Sequence, residues 1–402
     1  MPAILAGVLR VLMGTLGTWL AGAALLRAVV IPPESCPAIT PDSASAAVRS
    51  AAAWIERNQF EDGTYLYEYD AEANDVLGGY NEVRHAGVTM SLYQLAAAGD
   101  LSVLPTADAG LGWMTGNLLR RDGWAAFRNP ADGQVKLGAS ALMLVGLEQR
   151  RIATGDRQYD ELMRELGRFM VVMQLPDGGM LEFYDDYSGA PVPGLRSKYA
   201  TGEAFWALAL LHEAFPGEGW DGPTRRVADY LSFRRDELEQ QKFPPWADQW
   251  AAYGLGEMAE WGVLSDGNIA YARSLAERFG FLVRTESQRA GGWWPELIRG
   301  RQARAAGAGT WVEGLNSLYV LASIDRRMAD LREAIAERAL CGAGMLAERQ
   351  VTADELGGYD RPGIAEGAWF TKGATRMDDQ QHALSALLLT GAILREERAR
   401  DE

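Results

Sequence analysis

Basic charge, cysteine and histidine are all scarce in this chain. Lys and Arg total 39 against 54 Asp and Glu, a net charge of −15 with the three histidines neutral. Duplex binding needs a basic stripe to displace counterions, so nucleic acid is not expected as a partner. The two cysteines, Cys36 and Cys341, lie too far apart to read as a disulfide framework, and neither belongs to a Cys-x-x-Cys pair. There is no His-x-x-x-His, no His-Glu-x-x-His and no cysteine cluster, so no metal site is expected. A Gly-x-Ser-x-Gly elbow and a Gly-rich phosphate loop are missing too, and no cofactor is expected.

Long hydrophobic runs are also scarce, with one exception. Residues 11–26 are continuously apolar or small, between Arg10 and Arg27. If Arg27 snorkels, the run reaches residue 31 and spans ~20 residues, enough to cross a bilayer. A cleaved signal peptide is the rival reading. No small-x-small cleavage site with a polar start follows, and Pro32-Pro33 reads as a helix exit. Residues 1–31 are therefore expected to be an uncleaved anchor and membrane contact. Arg10 before it, with Glu34 and Asp42 after it, favours the bulk of the chain lying outside the cytoplasm. Cys36 follows this segment as in a lipoprotein, but Pro33-Glu34-Ser35 is a poor lipid-attachment box.

What the chain has in abundance is helical pattern. After a Pro-rich linker at 32–43, amphipathic helices are predicted at 44–58, 104–118, 158–174, 222–240, 267–283 and 329–349. Between them fall helices apolar nearly all round, at 84–98, 136–153, 199–215, 247–261, 309–325 and 378–395. The two kinds alternate strictly. Five of the apolar helices are preceded by a Gly-and-aromatic hairpin: DGTYLYEYD (62–70), DGWAAF (122–127), DGGMLEFYDD (177–186), GGWWPE (291–296) and GGYDRPG (357–363); the remaining entry carries FPPW instead. A repeat of this length signals a repeat architecture. Six pairs close into an all-α (α/α)6 barrel over residues 44–402, a double ring of twelve helices, whereas an open solenoid would require polar caps. Gly87, Gly138, Gly202, Gly254 and Gly314 recur within the inner helices at a helix-propensity cost of ~1 kcal/mol each, as close packing round an axis requires.

The inner helices of such a barrel all begin on one rim, where their dipoles present positive ends. The polar residues at those starts therefore become neighbours: Asn81, Arg84 and His85; Lys136; Lys198, Tyr199 and Glu203; Asp248, Gln249 and Trp250; Thr310, Trp311 and Glu313; Arg376, Asp378, Asp379, Gln381 and His382. An acid in a first helical turn needs no function, because it complements the dipole, and a histidine there has an ordinary structural use. Glu203 and Glu313 stand apart because each lies in a run of small and apolar residues. A buried carboxyl needs a partner or a raised pKa, and such groups cluster at active sites. The hairpin aromatics, among them Tyr65, Trp124, Phe183 and Tyr359, offer faces on which sugar rings stack, and a lipid or isoprenoid would use them equally.

The runs QFEDGTY (59–65) and QLPDGGM (174–180) resemble the Gln-x-x-Asp-Gly repeat of squalene-cyclase-like α/α toroids. MDDQ (377–380) does not match the acidic Asp-x-Asp-Asp of terpene cyclases, and Cys341-Gly342 lacks the companions of the zinc-bearing toroids. What remains is a resemblance to the carbohydrate-active (α/α)6 barrels: glycoside hydrolases, unsaturated-uronide hydrolases, polysaccharide lyases and uronyl C5-epimerases. That resemblance implies a glycan-acting enzyme whose partner is an oligo- or polysaccharide, neutral or acidic. A hydrolase would use Glu203 and Glu313 first as its paired carboxylates, with Asp248 and Asp378 in reserve and Glu68 as an outsider. Asn81, Arg84, His85, Lys136, Lys198, Tyr199, Gln249, Trp250, Arg376, Gln381 and His382 would bind substrate. A uronyl epimerase or lyase and a non-catalytic glycan-binding subunit of an envelope assembly are the alternatives.

Overall fold

The computed structural model of the chain describes residues 2–27, 32–240, 246–262, 264–289, 297 and 300–401. Helix α1 (Pro2–Leu25) comes first; its stretch Ala6–Leu25 is long and apolar enough to cross a membrane, and none of it is buried. An extended linker at 32–40 then leads into the barrel.

The outer ring consists of α2 (Pro41–Arg57), α4 (Leu104–Thr115), α6 (Asp160–Met173), α8 (Asp221–Phe233), α11 (Asp266–Ser287) and α13 (Arg332–Glu348). Each buries one stripe. In α6 the stripe is Leu162, Met163, Leu166, Phe169, Met170 and Met173, the i, i+3, i+4 spacing that turns one face inward. The inner ring is α3 (Glu82–Ala97), α5 (Leu137–Thr154), α7 (Ala200–Ala214), α10 (Gln249–Glu260), α12 (Ala305–Ile324) and α15 (Met377–Asp401). Away from their C-terminal turns these helices are covered on nearly every side, and α7 is buried without interruption from Ala200 to Leu211. Each inner helix packs on the next, and α15 packs back on α3, so the ring is closed. The outer helices lie against it, with α2 on α15 across the seam.

The predicted helices are all present. The expected 222–240 helix breaks at Arg234 into α8 and a short α9 (Arg235–Leu238). The break turns the Arg235 side chain inward, where it pairs with Asp248.

Small sheets crown the rim where the inner helices begin. Strand β1 (Glu68–Asp70) pairs with β2 (Asp75–Leu77) and with β8 (Ala374–Arg376), tying the chain entering α15 to the chain leaving α2. The β3 (Leu118–Arg121)–β4 (Trp124–Phe127) hairpin turns at Asp122-Gly123, both at positive φ, as DGWAAF implies. Strands β5 (Val135–Lys136), β6 (Phe183–Asp185) and β7 (Ala190–Pro191) form the third sheet. The first expected hairpin shifts: Asp62-Gly63 makes a tight turn closed by Phe60 N to Thr64 O, and the ladder pairs start only at Glu68. GGYDRPG is not a hairpin. A capping box between Thr352 and Glu355 opens a 3₁₀ turn at Ala353–Gly358, and α14 (Pro362–Ala365) follows. GGWWPE lies outside the described residues.

The reading of the cysteines as unpaired is overturned. Cys36 and Cys341, 305 residues apart in sequence, form a disulfide. In a closed ring sequence distance does not bound spatial distance, and the linker runs along α13. Gly344 permits this approach, since a Cβ there would stand 1.9 Å from the Pro37 carbonyl oxygen.

Candidate active site

The rim encloses a cavity of about 830 Å³. Of the expected site residues, Asn81, Arg84, Lys136, Tyr199 and Glu203 line it from α3, α5 and α7. Gln249, Trp250, Thr310, Trp311, Arg376, Asp378, Gln381 and His382 line it from α10, α12 and α15. All six inner helices therefore contribute at or near their first turns. Two recurring glycines explain how the ring closes tightly enough: a Cβ at Gly138 would lie 2.3 Å from Glu203 Oε2, and one at Gly202 would lie 2.6 Å from Asp248 Oδ1.

Other expected residues sit behind this wall. His85 is fully buried: its Nε2 is 2.9 Å from the Gly110 carbonyl oxygen and its Nδ1 2.6 Å from the Tyr80 hydroxyl. A carbonyl only accepts, so Nε2 carries the proton. Burial pushes this histidine down to about 4, and it is a neutral structural group. Asp248 caps α10 by accepting from Ala251 N at 3.0 Å and is neutralised by Arg235. Lys198 stands 5.2 Å over the ring of Trp246 and does not line the cavity. Glu68 is 3.9 Å from Arg304, away from the cavity wall. Glu313 lies one layer deeper than His382 and accepts from its Nδ1 at 3.0 Å. Burial works against the charge on His382, but Glu313, with Asp378 and Asp379 adding to it, outweighs burial and raises the imidazole's pKa.

Glu203 faces the cavity with a strongly perturbed carboxyl. Burial, with Asp248 and Glu182 adding like charge, pushes it up to about 8. Its Oε2 has no hydrogen-bond partner among the described residues. Asp378 is the opposite case. Burial resists its ionisation, but Arg376 at 2.5 Å and Arg84 at 3.2 Å hold it below the usual carboxylate range. The adjacent Asp379 turns away from the cavity, accepting from Arg304 at 2.6 Å and from Ala306 N at 3.0 Å; burial pushes its pKa up. Lys136 pairs with Glu82 at 2.9 Å.

The cavity also contains Phe183, one of the hairpin aromatics expected to face a sugar, and residues not singled out from sequence: Glu182, Gln134, Ser197, Trp246 and Arg278. Glu182 lies within the DGGMLEFYDD run, where the aromatics drew attention and the acid did not. Among the described residues it makes no ion pair, and burial raises its pKa while Lys136 opposes the rise. Rings of Phe183, Tyr199, Trp246, Trp250 and Trp311 face the same space as these carboxyls.

No protein-family model matches the chain, and no curated protein matches it. Solved structures do. A cellobiose 2-epimerase from Bacillus thermoamylovorans aligns with TM-score 0.60 and 12% identity, over 88% of this chain and 99% of that one. An inactive variant of an α-1,6-mannanase from a Salegentibacter species, in complex with α-1,6-mannotriose, aligns with TM-score 0.58 and 14% identity, over 88% and 100%. A D-mannose isomerase aligns with TM-score 0.59 and 11% identity, over 88% and 97%. At such identities the likeness is one of fold: the chain is an (α/α)6 barrel of the kind these carbohydrate-active enzymes use.

Proposed function

We propose that the chain is a carbohydrate-acting enzyme, held at a membrane by α1 with its barrel outside the cytoplasm, which hydrolyses a glycosidic bond in the rim cavity. The observation that carries this reading is Glu203: a buried carboxyl with one oxygen unpartnered among the described residues, its pKa pushed up to about 8 by burial, in the wall of a cavity rich in aromatic rings. A protonated carboxyl is what a glycosidic oxygen needs as general acid. Glu182, less buried and without an ion pair, is the second carboxylate. This replaces Glu313, which serves His382. Like charges push such a pair apart, so that one is acid and the other base. Glu203 gives its proton to the departing oxygen as the anomeric C–O bond breaks. Water adds to the anomeric carbon and loses its proton to Glu182. Asp378 is too fully engaged by Arg84 and Arg376 to be a nucleophile, and it fixes those two cations in the wall. The disulfide fits an oxidising compartment outside the cytoplasm.

The test is turnover of neutral and uronic-acid oligosaccharides by the full chain, read as new reducing ends. Glu203→Gln keeps the shape and removes the proton. Wild-type cleavage that Glu203→Gln retains in full rejects this assignment. The His382–Glu313 pair favours a second reading, proton transfer at a sugar carbon in isomerisation or epimerisation. Solvent deuterium entering the sugar without chain cleavage would select that reading.

A further inference from the structure

We infer that the mouth of the rim cavity faces the bilayer, so that the substrate is a glycan carried on a lipid of the membrane that holds α1. This rests on the proposed glycan hydrolysis and names its substrate class. The argument starts from the linker. Ser35 N donates to the carbonyl of Ser287, the last residue of α11, at 2.8 Å. Glu34 pairs with Arg284 of the same helix at 3.2 Å and with Arg338 of α13. The Cys36–Cys341 disulfide then locks the linker covalently to α13.

The end of α11 that holds the linker is the rim end. Arg278 and Leu282 of this helix line the cavity, and from Leu282 to Ser287 is ~8 Å along a helix axis. The far end of α11 (Asp266), the other end of a 22-residue helix, is ~32 Å more distant. From Leu25 to Glu34 the chain can extend ~30 Å at most. The rim is thus the part of the barrel tied nearest to the membrane segment. A second feature agrees. Val76, Leu77, Tyr187 and Leu195 stand exposed on the loops and hairpins around the mouth, and Tyr187 at the β6–β7 turn is wholly exposed. Apolar and aromatic side chains of this kind settle at a bilayer's headgroup level.

The test uses the full chain in phosphatidylcholine vesicles, with a fluorophore at Tyr187→Cys on the rim or at Leu101→Cys beyond the C-terminus of α3. The native cysteines are joined and leave the new thiol as the one labelled. Headgroup nitroxide lipids should quench the rim label several-fold more than the other. Equal quenching, or stronger quenching at position 101, overturns the orientation whatever the enzyme cleaves. For the substrate class, lipids from the producing cells are placed in the same vesicles, and the soluble glycans of those cells are added outside. Mass spectrometry should find sugar lost from the lipid fraction, and no loss with Glu203→Gln. Loss from the soluble fraction alone, with the rim label quenched, overturns the lipid-linked substrate and leaves hydrolysis standing. Loss from neither fraction takes down both.

Discussion

The barrel has two mouths, and the same residue type meets opposite conditions at each. At the rim, inner helices present their N-termini, and Arg84, Lys136, Arg278 and Arg376 share the cavity with Glu203 and Asp378. At the other end the helices present their C-termini to a cavity of about 590 Å³ that contains Glu257, Glu260, Tyr253 and Asn316. Acids sit there against the negative ends of the dipoles. Burial, with Glu213 adding like charge, pushes Glu257 up to about 8, and burial takes nearby Glu148 to about 7. An aromatic stack divides the two spaces. Trp206 and Tyr253 lie 4.0 Å apart, and Trp250, which faces the rim cavity, is 5.7 Å from Trp206. Glu203 and Glu257 are therefore shifted alike, but their surroundings differ: Arg84, Lys136, Arg278, Arg376 and His382 share the rim cavity with Glu203, whereas Arg395 is the one cation among the described residues lining the other cavity. A raised pKa alone does not mark a site; the surrounding complement does.

The largest expected effect separates these two glutamates. Glu203→Gln should lower turnover by ~10²–10⁴-fold with melting unchanged or raised, whereas Glu257→Gln should leave turnover intact. Comparable losses in both variants would erase the distinction between the mouths. Next comes the ion pair behind the rim. Arg235→Ala strands a buried Asp248 carboxylate, which should cost ~3–5 kcal/mol in denaturant unfolding. Adding Asp248→Asn should recover part of that loss. Cys36→Ser frees the linker and should cost ~2–5 kcal/mol, again by denaturant unfolding, with soluble-substrate turnover per folded molecule preserved. A further effect is pH-dependent. Glu257 keeps its proton in the folded chain up to about 8, while its ordinary value is 4.5. The folded state binds more protons across that window, so this group makes stability fall as pH rises through it. Glu257→Gln should flatten the decline in melting temperature between those values; an unchanged slope would show that Glu257 is ionised in the fold.

Much of the architecture was legible because burial on all sides leaves a mark no surface helix shares. Runs such as FWALALL in α7 have no polar face, and their alternation with one-faced helices implies two rings. The rim position of the site followed from where inner helices start. Depth around each helix did not follow. Glu313 and His382 both look like first-turn polar residues, yet the acid lies behind the histidine. His85 is one residue from Arg84 and faces the outer layer, where Gly110 of α4 meets it. Arg235 and Arg304 were invisible as partners of Asp248 and Asp379 because no periodicity links them. Glu182 was hidden in a hairpin read for its aromatics. The disulfide was missed because ring closure brings together what sequence separates.

The central claim is that Glu203 is the proton donor of the rim cavity, and the pH dependence of kcat/KM on a cleaved oligosaccharide tests it most directly. The free enzyme should lose activity on the basic side with an apparent pKa near the 8 expected for Glu203. That limb should persist in Glu257→Gln, whose lost carboxyl has the same expected value, about 8. It should vanish from the residual activity of Glu203→Gln. A limb that survives Glu203→Gln, or disappears in Glu257→Gln, would contradict the account.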